Sequence, residues 1–115
     1  MEKQLLNTDA ALEMLSGEND LYKMLIDAFL AESPENLEMI EQLVSEERFE
    51  DARAVSHKIK GTASQLGAEH LTFALQYLED TLNGSMTGDP ILLCKNANLG
   101  FVETIKFIKD YRSTL

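Results

Sequence analysis

The chain has 115 residues, 44% of them apolar, and its 20 acidic and 10 basic side chains give a formal charge of −10. That length suffices for one core burying roughly two-thirds of the unfolded surface and falls short of two ordinary domains, so a single domain over residues 1–115 is expected. The negative charge repels phosphate backbones and anionic lipid, which argues against nucleic acid or a membrane surface as partner.

Asn7, Thr8 or Asp9 can cap a short first helix carrying Ala11, Leu12 and Leu15, which Ser16 and Gly17 then stop. A second helix is expected from about Asn19 to Ser33, stacking Leu21, Met24, Leu25, Ala28 and Phe29. Ser33 followed by Pro34 reads as an N-cap with proline at the first helical position, opening a third helix through Leu37, Ile40 and Val44. The next helix runs from about Phe49 to Leu66 with Gly67 as its C-terminal glycine, and another follows from Ala68 or Glu69 through Leu71, Ala74, Leu75, Leu78 and Leu82. Residues 83–88 form a loop, after which Asp89 caps and Pro90 starts a last helix carrying Cys94, Leu99, Val102, Ile105 and Ile108. No alternating run suggests a strand. The fold class is therefore all-α, and long amphipathic helices with short connections predict an antiparallel up-and-down four-helix bundle, with the short additional N-terminal helix as a lid.

The methionines and aromatics fall mostly on apolar stripes and read as core filling. The single cysteine, Cys94, follows Ile91, Leu92 and Leu93 and reads as a buried packing residue. No apolar run approaches the roughly 18 residues of a membrane span, and the opening Met1-Glu2-Lys3-Gln4 lacks the apolar core of a signal peptide. A cytoplasmic location is expected.

His57 stands out. At about 100° per residue, Ala52, Val55, Ser56, Ile59, Ala63 and Leu66 gather on one side of their helix, while His57 points roughly 150° from their mean. Arg53, Lys60, Gly61 and Ser64 share or flank its side. A glycine in a helix interior costs about 1 kcal/mol relative to alanine, so Gly61 asks for a reason, and clearance for an approaching surface is one. Arg48, Arg53, His57, Lys58 and Lys60 also make a small positive island that suits an anionic ligand or an acidic pocket on a partner.

The pattern HxxKG, present as His57, Lys60 and Gly61 and followed by Gly67, resembles the histidine-containing phosphotransfer (HPt) domains of multistep two-component phosphorelays. The likeness extends to the Gly17-Glu18-Asn19-Asp20-Leu21-Tyr22 approach to the second helix, Phe29-Leu30, Ser33-Pro34 and Leu78-Glu79. It implies that His57 accepts a phosphoryl group from a phosphoaspartate on one receiver domain and yields it to an aspartate on another. Its implied partners are response-regulator receiver domains and a hybrid sensor kinase, with no cofactor bound and Mg²⁺ supplied by the receiver. The physics agrees: an exposed imidazole, with a reference pKa near 6.5, is largely neutral and nucleophilic at neutral pH. Phosphoryl transfer then depends mainly on in-line positioning and nearby positive charge, which Lys60 can supply one turn on. Lys58 lies further round the helix and is expected in solvent or at a partner; Arg53 reads as a partner contact, and Ser64, like Gly61, as docking clearance.

Counting from the Gly67 turn, His57 lies ten residues before and Glu79 twelve after, at similar heights on antiparallel helices. Glu79, or Gln76 as a substitute, is thus a candidate to hold one ring nitrogen and orient the imidazole. Met39 and Leu43 are candidates for a surface apolar pair near the site. An ATP-dependent autokinase is excluded because no glycine-rich nucleotide loop occurs. A metal site is disfavoured because His57 and His70 are thirteen apart with no second cysteine, and His70 reads as an ordinary surface or boundary residue. The competing reading is a helical adaptor that binds a receiver or kinase without carrying phosphate; such chains usually lose the histidine or its lysine, and both stand here. Nothing in a filled single bundle with a negative surface asks for pairing, so a monomer is expected.

Overall fold

The computed structural model describes residues 6–85 and 87–114. It consists of five helices, α1 (Thr8–Met14), α2 (Asn19–Ser45), α3 (Phe49–Leu66), α4 (Glu69–Leu82) and α5 (Pro90–Arg112), with no strand among the described residues. The ends of these helices follow local chemistry. Asn7 Oδ1 accepts a hydrogen bond from Ala10 N at 3.1 Å, and Asp89 Oδ1 accepts one from Ile91 N at 3.0 Å with Pro90 at the first helical position.

One expected boundary is absent. Helix α2 runs unbroken through Pro34, so Ser33 is not an N-cap and the segments expected as two helices are one. The reason lies in what the helix buries: Tyr22, Ile26, Phe29, Ser33, Leu37, Ile40 and Val44 form a row at steps of three and four residues that crosses Pro34 without losing register. Pro34 faces solvent, so its ring displaces nothing in the core, and the local loss is one amide donor. The same row corrects the stripe expected for the first half of α2, since Leu21, Met24 and Ala28 are exposed.

Helix α3 packs against α2 and α4, and α5 packs against the same two helices, while α1 lies on α2 and α3. Ile26, Phe29, Ile40, Ile59, Leu66, Leu71, Leu75, Leu78 and Ile108 fill the space between them. In α5 the buried row is Cys94, Ala97, Phe101, Thr104 and Ile108; Leu99 and Val102, expected inside, face water. Met14, Met24 and Met39 are exposed too, as are Phe49, Phe73 and Phe107, so the core-filling expectation fails for them. Met1 and Met86 lie outside the described residues. Among the described residues no helix is long and apolar enough to cross a membrane.

The C-terminal end of α3 is anchored from two sides. Gly67 adopts φ +80°, the left-handed conformation that ends α3, and its carbonyl accepts from Asn7 N at 2.6 Å. A side chain there would collide with the Asn7 backbone. The buried Tyr22 hydroxyl donates to the Leu66 carbonyl at 2.7 Å, capping one of the helix's last acceptors.

Candidate functional site

The core face of α3 is Ala52, Ser56, Ile59, Ala63 and Leu66, and the buried Ser56 hydroxyl is satisfied by donating to the Ala52 carbonyl at 2.9 Å. His57 consequently projects outward, its side chain 67% exposed. Its Nδ1 lies 3.0 Å from Oε1 of Glu79, a residue of α4 that is itself buried. Of the two candidates, Glu79 is the one in contact with the ring, and Gln76 is not.

Gln76 serves Lys60 instead. Lys60 Nζ donates to Gln76 Oε1 at 2.6 Å and stands 2.8 Å from Glu79 Oε2, and Gln76 Nε2 donates to Asp80 Oδ1 at 2.8 Å. The Lys60–Glu79 contact is an ion pair without the alignment of a hydrogen bond. Burial alone would raise the Glu79 carboxyl pKa, but the Lys60 ammonium and then the His57 ring outweigh it and hold the group below its usual value. Glu79 is therefore a carboxylate at neutral pH and can only accept. In a neutral ring the proton then resides on Nδ1, directed at Glu79, and the Nε2 lone pair is free on the exposed side.

Gly61 lies one turn beyond His57, exposed, and a Cβ added there would have no neighbour within 4 Å. No contact among the described residues requires the glycine. Ser64 and Lys58 are exposed and Arg53 is half-buried. Neither Arg53 nor Lys58 forms an ion pair among the described residues, whereas Arg48 is paired to Asp51 at 2.7 Å and Lys60 to Glu79. The positive island is accordingly smaller than its five residues suggest.

Two grooves flank α3. One, of about 380 Å³ between α1, α3 and α4, is lined by Ala10, Met14, Ser64, Phe73 and Gln76. The other, between α2 and α3, has Met39, Ala54 and Val55 on its walls. Leu43 also reaches that groove but is buried, so the expected surface pair reduces to Met39. His70 is exposed at the start of α4, and burial pushes the Cys94 thiol up to about 11, with Glu41 adding to the effect, which leaves it unreactive. The residue that sequence reasoning passed over is Asp80; its four-residue spacing from Gln76 on α4 is the signal that it could have partnered that amide.

Residues 24–99 match the family model described as the Hpt domain, a span that takes in His57, Lys60, Gly61 and Glu79. The crystal structure of histidine-containing phosphotransfer protein B (HptB) from Pseudomonas aeruginosa PAO1 is similar with a TM-score of 0.86 at 20% sequence identity, covering 99% of each chain. No curated protein matches the sequence. With the family model spanning more than half of its length, the chain belongs to the Hpt domain family.

Proposed function

We propose that the protein is a phosphorelay intermediate that accepts a phosphoryl group on His57 from a receiver-domain phosphoaspartate and passes it to an aspartate of another receiver. The observation that carries this reading is the exposed imidazole whose Nδ1 is held by a buried, ion-paired carboxylate, with Nε2 left open. Nε2 attacks phosphorus in line, the bond from phosphorus to the aspartyl oxygen breaks, and the aspartate leaves with that electron pair as a carboxylate. As the N–P bond forms, positive charge develops on the ring, and Glu79 at 3.0 Å is placed to stabilise it. Lys60 supplies positive charge one turn away, and the receiver domain brings the Mg²⁺ that screens the phosphoryl oxygens.

Docking uses the face around Gly61 and Ser64, where a missing side chain and a small one let a second protein approach the ring. We infer that the chain works as one domain over residues 1–115, an antiparallel up-and-down four-helix bundle. The ring of packing among α2, α3, α4 and α5 and the His57–Glu79 contact across the short Gly67 turn support that arrangement.

The test is incubation with a phosphorylated receiver domain and Mg²⁺. The wild type is expected to acquire acid-labile, base-stable label and His57→Gln none. Label that persists in His57→Gln rejects the site. A wild type that binds receivers without acquiring label is an adaptor, and the carrier reading then fails.

A further inference from the structure

Asp80, Gln76, Lys60, Glu79 and His57 form one continuous row of polar contacts that passes between α4 and α3. The Gln76 amide is oriented by charge at both ends: its carbonyl takes the Lys60 ammonium at 2.6 Å and its NH₂ gives to the Asp80 carboxylate at 2.8 Å. Turned over, the amide would aim NH₂ at an ammonium and C=O at a carboxylate, so the observed orientation is the one both charges favour. Lysine has a flexible four-carbon stem and a strongly hydrated head, and Gln76 is the acceptor that fastens this one. Among the described residues Glu79 Oε2 has no aligned hydrogen bond, and Lys60 Nζ is the cation that compensates its charge.

We propose that Gln76 and Asp80 are positioning residues that hold Lys60 on Glu79 and thereby keep His57 as its Nδ1–H tautomer with Nε2 free. If the ammonium swings out to water, a carboxylate buried to 7% exposure loses its counter-charge and is drawn off Nδ1 toward water, because a buried unpaired charge is costly. Without that acceptor at Nδ1 the ring proton redistributes toward Nε2, the nitrogen that must attack. The consequence for transfer rests on His57 being the phosphoryl carrier, but the arrangement belongs to the resting protein and is measurable without phosphate.

The experiment is ¹⁵N NMR of the His57 ring in the full chain at about pH 8, where an ordinary imidazole is neutral. The wild type is expected to show a protonated Nδ1 and an unprotonated Nε2. In Gln76→Leu and in Asp80→Ala the ratio of Nδ1–H to Nε2–H should fall by about tenfold, the scale of one hydrogen bond to a charged group. Asp80→Asn keeps an acceptor for the Gln76 NH₂ and should restore the wild-type pattern, which a merely structural role for Asp80 would not require. An unchanged tautomer ratio in both disruptive variants, with native amide spectra, overturns the proposal, as does a wild type already protonated on Nε2. Failure of label transfer in a wild type that shows the expected tautomer pattern would instead overturn the carrier function and leave this row of contacts standing.

Discussion

Glu79 is where the chemistry of the site and the stability of the fold meet. A buried carboxylate is costly unless paired, and here both oxygens are used, one for an imidazole and one for an ammonium. Glu79→Gln keeps the shape but offers an amide that can donate to Nδ1, which favours the wrong tautomer. Transfer from a phosphorylated receiver should slow by roughly 10–100-fold, the usual cost of losing an orienting carboxylate. The same substitution has a pH signature. Because the folded carboxyl pKa is depressed, the stability it contributes is present above the unfolded value of about 4.3 and is lost as pH falls through the lower folded value. Urea titrations across that acid range should therefore show the stability gap between wild type and Glu79→Gln narrowing as pH drops. A gap that stays constant would mean that folding does not shift the Glu79 carboxyl pKa.

At the scale of the helix, Gly61 and Pro34 are two residues that weaken their own elements, for different reasons. Gly61 has open space around it, so Gly61→Ala should raise stability by up to about 1 kcal/mol while slowing transfer to receivers, because the new methyl stands where a partner approaches. Equal gains in stability and transfer would remove docking clearance as the explanation. Pro34 interrupts the hydrogen bonding of a helix that is otherwise continuous over 27 residues, and Pro34→Ala should stabilise the protein by roughly 1–3 kcal/mol in denaturant titrations. A loss of stability would mean that the chain needs a break between Ser33 and Glu35.

These two positions also show what is legible in the sequence. Asn7, Gly67 and Asp89-Pro90 mark helix ends through contacts within three residues, and all three are readable. Ser33-Pro34 presents the same local signal, yet the helix continues, because the decision belongs to the buried row from Tyr22 to Val44, and Ser33, a polar member of that row, hides its continuity. The competing stripes of α2, through Leu21 and Met24 or through Tyr22 and Ile26, are one or two residues apart, and only packing against α3 and α5 chooses between them. At the site, helical spacing sufficed to place His57 outward, while the count across Gly67 left Glu79 or Gln76 as the residue beside it, and the packing of α4 against α3 puts Glu79 there. Spacing could not show that Lys60 is engaged by α4, since a lysine on the histidine's side can reach either a ligand or its own neighbours.

For the whole molecule, charge is distributed against the average. The chain carries −10, yet the surface around His57 offers Arg53 and Lys58, which have no ion-pair partner among the described residues. A partner whose phosphorylatable aspartate lies in an acidic pocket is repelled by most of this protein and attracted by that one region, so long-range electrostatics orient the encounter as well as speed it. Arg53→Glu and Lys58→Glu together reverse the local sign. Because neither side chain supports the fold through an ion pair, stability should change by less than about 0.5 kcal/mol each. The receiver concentration at half-maximal transfer should rise about tenfold at low salt with little change in the maximal rate, and the difference should shrink as the screening length falls below about 10 Å above 0.1 M salt. Transfer rates measured against receiver concentration at low and high salt check this. A defect that is independent of salt would assign these residues to direct contact with the phosphoryl group or the docked surface, whereas one that vanishes on screening identifies them as the feature that turns an acidic protein's reactive face toward an acidic partner.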